Sequence, residues 1–221
     1  MSSSTPAPAT LILARHGQTV WHAENRYAGS SDIDLTPTGV EQAGLLAEWA
    51  ALARPEALYC SPIRRAQETI APTREALGTA VTTVADLREQ DFGVAEGRTI
   101  GELAAENPRL VADFRADPVA HHFPGGESPL TVAARGAAAL RGIAADNPGR
   151  TVLVVAHNTL IRVSLCALIG VPVNTYRAVF PQLSNGTLTQ LRLGADPAAP
   201  AALLSFNVPI AGEIAVRRGQ G

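Results

Sequence analysis

Leu11-Ile12-Leu13-Ala14-Arg15-His16-Gly17-Gln18-Thr19 decides how the rest of the chain is read. It begins as a short apolar run of the kind a buried strand needs and then breaks into Arg-His-Gly. A planar guanidinium grips phosphate with two parallel hydrogen bonds. A neutral imidazole beside it keeps a lone pair near neutral pH and can attack phosphorus. The glycine lets the backbone turn. A lone Arg-His-Gly also occurs by chance, so the reading depends on the remaining chain.

Working outward, strands and helices alternate. Thr36-Pro37 looks like a cap followed by proline at the first helical position. The helix it opens carries Val40, Ala43, Ala47 and Ala50 inward and ends near Arg54-Pro55. Ala57 to Cys60 is a strand. Ser61-Pro62 repeats the cap signal before a helix with Ile63, Ala66, Ile70 and Leu77 on one face, stopping at Gly78. Val81 to Val84 is a weak strand. Helical pieces are expected over Thr99 to Glu106 and Arg109 to Asp117, and a long helix from Ser128-Pro129 with Leu130, Ala133, Ala137, Leu140 and Ala144 inward. Thr151 to Ala156 is continuous and β-branched, as a central parallel strand should be. A helix follows from Thr159 to Ile169, and Thr187 to Leu193 and Leu203 to Val208 close the sheet.

This alternation predicts an α/β fold, a three-layer α/β/α arrangement around a mostly parallel, mixed sheet of about six strands. Residues 1–9 are expected to be a disordered tail with no signal-peptide pattern. Residues 10–221 are expected to form one domain, with a cap near residues 99–127 that has no strand of its own. The long polar stretch from His16 to Leu35 suits a loop over the site.

Composition excludes several functions. The net charge of −2 gives no footprint for nucleic acid or an anionic membrane. All 18 basic residues are arginine, so a lysine nucleophile, a Schiff base and a Walker-type loop are ruled out. Cys60 and Cys166 lack metal-ligand spacing and read as buried reduced thiols, which fits a cytoplasmic protein. No apolar run is long enough to span a membrane.

Ligands of open α/β sheets bind at the carboxyl ends of the strands. The first strand ends in Arg15-His16 and the strongest in His157. If the two are neighbours, the imidazoles face one another, and the helix after His157 points its first N–H groups at the same space. In Ser61-Pro62-Ile63-Arg64-Arg65-Ala66-Gln67-Glu68-Thr69 the two arginines point about 100° apart. Arg64 stands four residues before Glu68 and suits a surface ion pair. Arg65 is therefore assigned to the site.

Here the chain resembles the histidine phosphatase superfamily, in the branch of cofactor-dependent phosphoglycerate mutases and small phosphatases. Arg15-His16-Gly17-Gln18-Thr19 is similar to its Arg-His-Gly-x-Thr. Leu35 to Ala43 fits Leu-Thr-x-x-Gly-x-x-Gln-Ala, and Ser61 to Thr69 fits Ser-x-x-x-Arg-Ala-x-x-Thr. Leu87, Glu89, Gly93, Glu96 and Gly97 fit a fourth motif, and Val155-Ala156-His157 a fifth. The resemblance implies a phosphoglycerate mutase-like fold and a metal-independent phosphatase with no cofactor. It makes His16 the nucleophile that forms a phosphohistidine. It sets Arg15, Arg65 and His157 around the equatorial oxygens and Glu89 as general acid, helped to arrive protonated by the substrate's charge. The substrate is expected to be a small phosphorylated metabolite. The rivals are a phosphoglycerate mutase, whose members are usually longer, and a binding module that lost catalysis.

Two positions depart from the pattern. His22 follows Trp21 where the family usually has Asn, and Asn158 follows His157 where it has Gly. Thr19, His22, Asn158 and Arg26 are candidate substrate contacts, Arg26 reading equally as a clamp for a carboxylate or second phosphate and as an exposed loop charge. His121 and His122 sit in the expected cap and read as a solvated loop pair in preference to a pair facing the substrate. Asn185-Gly186 suits a turn or a place near the site. The apolar closing strands are a possible homodimer edge.

Overall fold

The computed structural model describes residues 6–196 and 198–219. Six strands form one sheet: β1 (Ala9–Arg15), β2 (Ala57–Cys60), β3 (Val81–Thr83), β4 (Thr151–Ala156), β5 (Thr187–Leu193) and β6 (Ala202–Pro209). Their order is β3-β2-β4-β1-β5-β6. The first four run parallel, and β5 and β6 are antiparallel additions. The mixed three-layer fold expected from the sequence is the one found.

Alternation along the central strands feeds two cores. Leu11, Leu13, Val152, Val154 and Ala156 point to one face, where α5 (Pro129–Asp146) and α6 (Asn158–Ile169) pack. Ile12, Ala14, Leu153 and Val155 point to the other, against α1 (Pro37–Ala53) and α2 (Arg64–Leu77). Burial on both faces is why β1 and β4 read as unbroken apolar runs. A third, smaller cluster (Phe92, Ala95, Leu103, Val111, Phe114 and Phe123) lies under α3 (Ile100–Glu106) and α4 (Pro108–Ala116). These two helices lie in the stretch expected as a cap. After α6 come α7 (Tyr176–Val179) and, beyond β6, α8 (Ile210–Gly219).

Several local expectations need correction. Ala9, placed in the tail by the sequence reading, is the buried first residue of β1 and pairs with Leu193. Residues 1–5 of that tail lie outside the described residues. Val40 and Leu130 are 60% and 55% exposed, not inward. The helices instead turn Gly39 and Gly136 toward their neighbours, because close approach favours the residue with no side chain. A Cβ on Gly136 would sit 2.7 Å from Leu160. Ser61 does not cap α2, which starts at Arg64 with Ile63 as its N-cap. The α7 and α8 helices were not anticipated; α8 seals one core with Ile210 and Ile214.

β1 and β4 are neighbours in register, with Arg15 beside Ala156, and the His16 N–H donates to the Ala156 carbonyl at 3.0 Å. Both strand ends therefore open at the same level.

Candidate active site

His16 is buried, and its ring centroid lies 5.1 Å from that of His157. Its Nδ1 is 2.8 Å from the Gly17 carbonyl, and Arg65 donates Nε–H to its Nε2 at 3.2 Å. A carbonyl only accepts, so Nδ1 carries the proton and Nε2 the lone pair. Burial first, then the charges of His157, Arg65 and Arg15, hold the His16 pKa well below its ordinary value. The ring is neutral at pH 7. Gly17 makes this geometry possible: a Cβ there would meet the Gly39 carbonyl oxygen at 2.6 Å.

Arg65 lies behind the imidazole and also ties down the loop above it. Its Nη groups donate to the carbonyls of Ala28, Gly29 and Ser31. Glu96 fixes the same loop through the Gly29 and Phe92 N–H groups and the Ser31 hydroxyl. Arg64 pairs with Glu68 on the exposed side, as the spacing predicted.

Arg15 donates Nη1–H to the Leu183 carbonyl at 2.6 Å, while Nη2 faces His22 Nε2 at 2.6 Å. Its Nε is buried with no partner among the described residues. Burial pulls its pKa down to about 10, so it stays charged. His22 Nδ1 receives the Thr19 N–H at 2.9 Å, completing a reciprocal capping box with Thr19. Both nitrogens of His22 thus face N–H donors, although a neutral imidazole has one acceptor. The two contacts compete. Burial and the Arg15 charge pull the His22 pKa down to about 4.

His157 Nε2 lies 2.7 Å from Ser61 Oγ, and its Nδ1 is buried without a partner among the described residues. Burial and the charges of Arg65 and Arg15 keep its pKa low. Glu89 is buried at the start of α6. Its Oε1 accepts the Gln90 and Leu160 N–H groups, both at 2.9 Å, and its Oε2 accepts from Thr159 at 3.0 Å. The first N–H groups of α6, expected to face the substrate, are therefore taken by this carboxylate. Arg135 positions it by donating to the carbonyls of Asp86, Arg88 and Glu89 while pairing with Glu127.

These groups surround a cavity of about 350 Å³ that reaches from His16 to the cap. Arg15, His16, Thr19, His22, Glu89 and Asn158 line it, and Arg65 and His157 stand directly behind His16. The family profile described as the histidine phosphatase superfamily (branch 1) matches residues 11–203, nearly the whole described fold.

The chain belongs to the histidine phosphatase superfamily.

Among curated relatives, this histidine phosphatase is 34% identical to the glucosyl-3-phosphoglycerate phosphatase of Mycolicibacterium vanbaalenii, covering 86% of this chain and 88% of that protein. It is 31% identical to phosphoserine phosphatase 1 of Hydrogenobacter thermophilus, covering 75% and 79%. A probable phosphoglycerate mutase of Yersinia pestis is 30% identical over 85% and 86%. The solved structure of a mycobacterial glucosyl-3-phosphoglycerate phosphatase superposes with a TM-score of 0.81 at 30% identity, covering 91% of this chain and 99% of that one. The enzyme class expected from the sequence, a phosphoric monoester hydrolase, is the class of its phosphatase relatives.

Not every candidate contact is free for substrate. Arg26 lines the cavity, but its donors go to Glu24, Glu102 and the Gly97 carbonyl, which corrects its expected role as an anion clamp. Thr19 turns its hydroxyl to His22. Asn158 is the first residue of α6, after the N-cap His157; its Oδ1 is buried without a partner among the described residues. Asn185 donates to the His16 carbonyl at 2.6 Å, and Gly186 makes the turn at φ 67°. His121 and His122 lie in the turn after α4 and do not line the cavity. The sequence reading missed Ser61, Arg135, Arg162 and Arg177. An arginine inside the apolar run Leu160 to Leu165 was the available signal for Arg162.

Proposed function

We propose that this histidine phosphatase hydrolyses small phosphomonoesters through a phosphohistidine on His16, without a metal ion. The tautomer of His16 carries the reading: Nδ1–H on the Gly17 carbonyl leaves the lone pair on Nε2, where the Arg65 Nε–H holds it at 3.2 Å until phosphorus takes its place. Nε2 attacks phosphorus as the ester P–O bond breaks, and neutral imidazole meets no repulsion from the dianion. Arg15 Nη2 and Nε, His22 Nε2 and His157 Nδ1 turn to the non-bridging oxygens. An anion also resolves the competition at His22, because its oxygens accept from Arg15 and from the ring. Glu89 Oε2, which accepts one N–H where Oε1 accepts two, has room for the proton passed to the leaving alkoxide. Water then attacks phosphorus, the P–N bond breaks and Glu89 takes a proton back.

The substrates named for the relatives, a glucosyl-3-phosphoglycerate and a phosphoserine, are small phosphomonoesters. Cys60 and Cys166 are buried free thiols, which supports a reducing, cytoplasmic setting. Among the described residues no helix is long and apolar enough to cross a membrane.

The test is phosphate release from sugar phosphates, 3-phosphoglycerate and p-nitrophenyl phosphate in the presence of a chelator, wild type beside His16→Ala. Release that survives chelation and disappears in the variant is expected, together with an acid-labile phosphoenzyme. Conversion of 3-phosphoglycerate to its 2-isomer with no hydrolysis would replace the phosphatase with a mutase.

A further inference from the structure

The cavity holds more positive charge than a phosphoryl group needs. Beyond the groups around His16, the far wall carries Arg162 from α6 and Arg177 from α7. Glu89 is the one carboxylate on the cavity wall among the described residues, and three backbone N–H groups already hold it. Arg162 is 8% exposed. Its Nε donates to the Phe180 carbonyl at 2.6 Å, and its guanidinium lies 4.9 Å over the Tyr176 ring. No carboxylate pairs with it or with Arg177 among the described residues. Arg177 is held over Phe114 at 4.6 Å and bonds the Tyr176 hydroxyl at 3.0 Å.

We propose that Arg162 and Arg177 form an anion subsite that reads a carboxylate on the alcohol half of the phosphomonoester. This rests on the phosphatase reading of the site and names its substrate class. A buried charge without a counter-ion costs stability unless something pairs with it. Burial lowers the Arg162 pKa, and the neighbouring Arg177 charge adds to the lowering. The fold keeps Arg162 buried nonetheless, while Arg177 is exposed and lines the same cavity; aromatic stacking and a hydrogen bond fix each side chain. With Nε committed to Phe180, Arg162 presents its two Nη groups, a fork that matches the two oxygens of a carboxylate. Arg162 stands one helical turn beyond Asn158, about 6 Å along α6, a spacing on the scale of a short carbon chain.

The test is a pair of ligands that differ in the carboxylate, 3-phosphoglycerate and glycerol 3-phosphate, titrated calorimetrically into His16→Ala, which cannot turn them over. The carboxylated ligand should bind about tenfold to a hundredfold more tightly. Adding Arg162→Met, or Arg177→Gln where the first variant melts early, should bring the ratio to within about twofold of one. The kcat/KM ratio of the same two esters in the His16-containing proteins should follow. Equal affinities in the parent overturn the subsite, as does a ratio that persists in both arginine variants or a parallel loss for both ligands. Propane-1,3-diol bisphosphate binding as tightly as 3-phosphoglycerate would overturn the carboxylate assignment in favour of a second phosphoryl group. A carboxylate-dependent ratio in a protein that releases phosphate from no ester would leave the subsite standing and refute the phosphatase reading.

Discussion

His16 and His22 are both imidazoles beside the end of β1, and their neighbours give them different work. A carbonyl at Nδ1 fixes the tautomer of His16 and leaves its lone pair on Nε2 facing Arg65, whereas His22 uses Nδ1 to close a turn on Thr19. Their titration links the site to stability. The folded-state pKa values of His16, His22 and His157 all lie below the ordinary value of 6.5. Below that pH the unfolded chain binds more protons than the native one, so stability falls as pH falls. For His22 the loss continues to about 4, where the folded ring also protonates. Urea midpoints should decline across this window, and His22→Asn should flatten the decline; an unchanged slope would contradict it. Glu89 offers a second prediction at this scale. Glu89→Gln should cut turnover of alkyl phosphates by about 10²–10⁴-fold while sparing p-nitrophenyl phosphate, whose leaving group needs little protonation. Equal losses for both esters would remove the general-acid role.

At the scale of elements, the site depends on two backbones meeting without side chains between them. Just beyond β1, a Cβ on Gly17 would meet the Gly39 carbonyl in the first turn of α1, and a Cβ on Gly39 would meet the Gln18 carbonyl. Gly17→Ala should destabilise the fold by about 1–3 kcal/mol, as overpacking does, and misplace His16. Gly44, five residues further along α1, has nothing within 4 Å of its Cβ position among the described residues. Gly44→Ala should stabilise by about 0.5–1 kcal/mol through helix propensity. Denaturant unfolding of the two variants checks both signs. A second pairing works across elements: Arg135 on α5 joins Glu127 to the carbonyls on either side of Glu89. The run Gly125-Gly126-Glu127-Ser128 before α5 thus supports, through Glu127, the carboxylate of Glu89.

At the scale of the molecule, the two sheet cores and the cap cluster are separate bodies of apolar contact. The cap packs through stacked Phe114 and Phe123, ring centroids 4.1 Å apart, against Tyr27 and Phe92. Phe123→Ala should cost about 3 kcal/mol in that cluster. Amide exchange over α3 and α4 should accelerate while the amides of β1 and β4 keep their protection. Uniform acceleration would show that cap and sheet open together.

The sequence by itself determined the strand and helix alternation, the ends of β1 and β4 that carry His16 and His157, and the assignment of Arg65 to the site. Those features are local: apolar periodicity, helical angle and the residue type that ends a strand are all written within a few positions. Five ordered motifs tied them to one family. Only the tertiary structure decided that Glu89 occupies the N-terminus of α6, that Arg26 is spent on Glu24 and Glu102, and that Arg162 and Arg177 meet no carboxylate among the described residues. It also turned Gly39 and Gly136 inward where a hydrophobic pattern favoured Val40 and Leu130. Whether a charge is paired, and which face of a helix lies closest to its neighbour, depends on groups far apart in the chain. No short-range pattern encodes those contacts, because they form only when the layers pack.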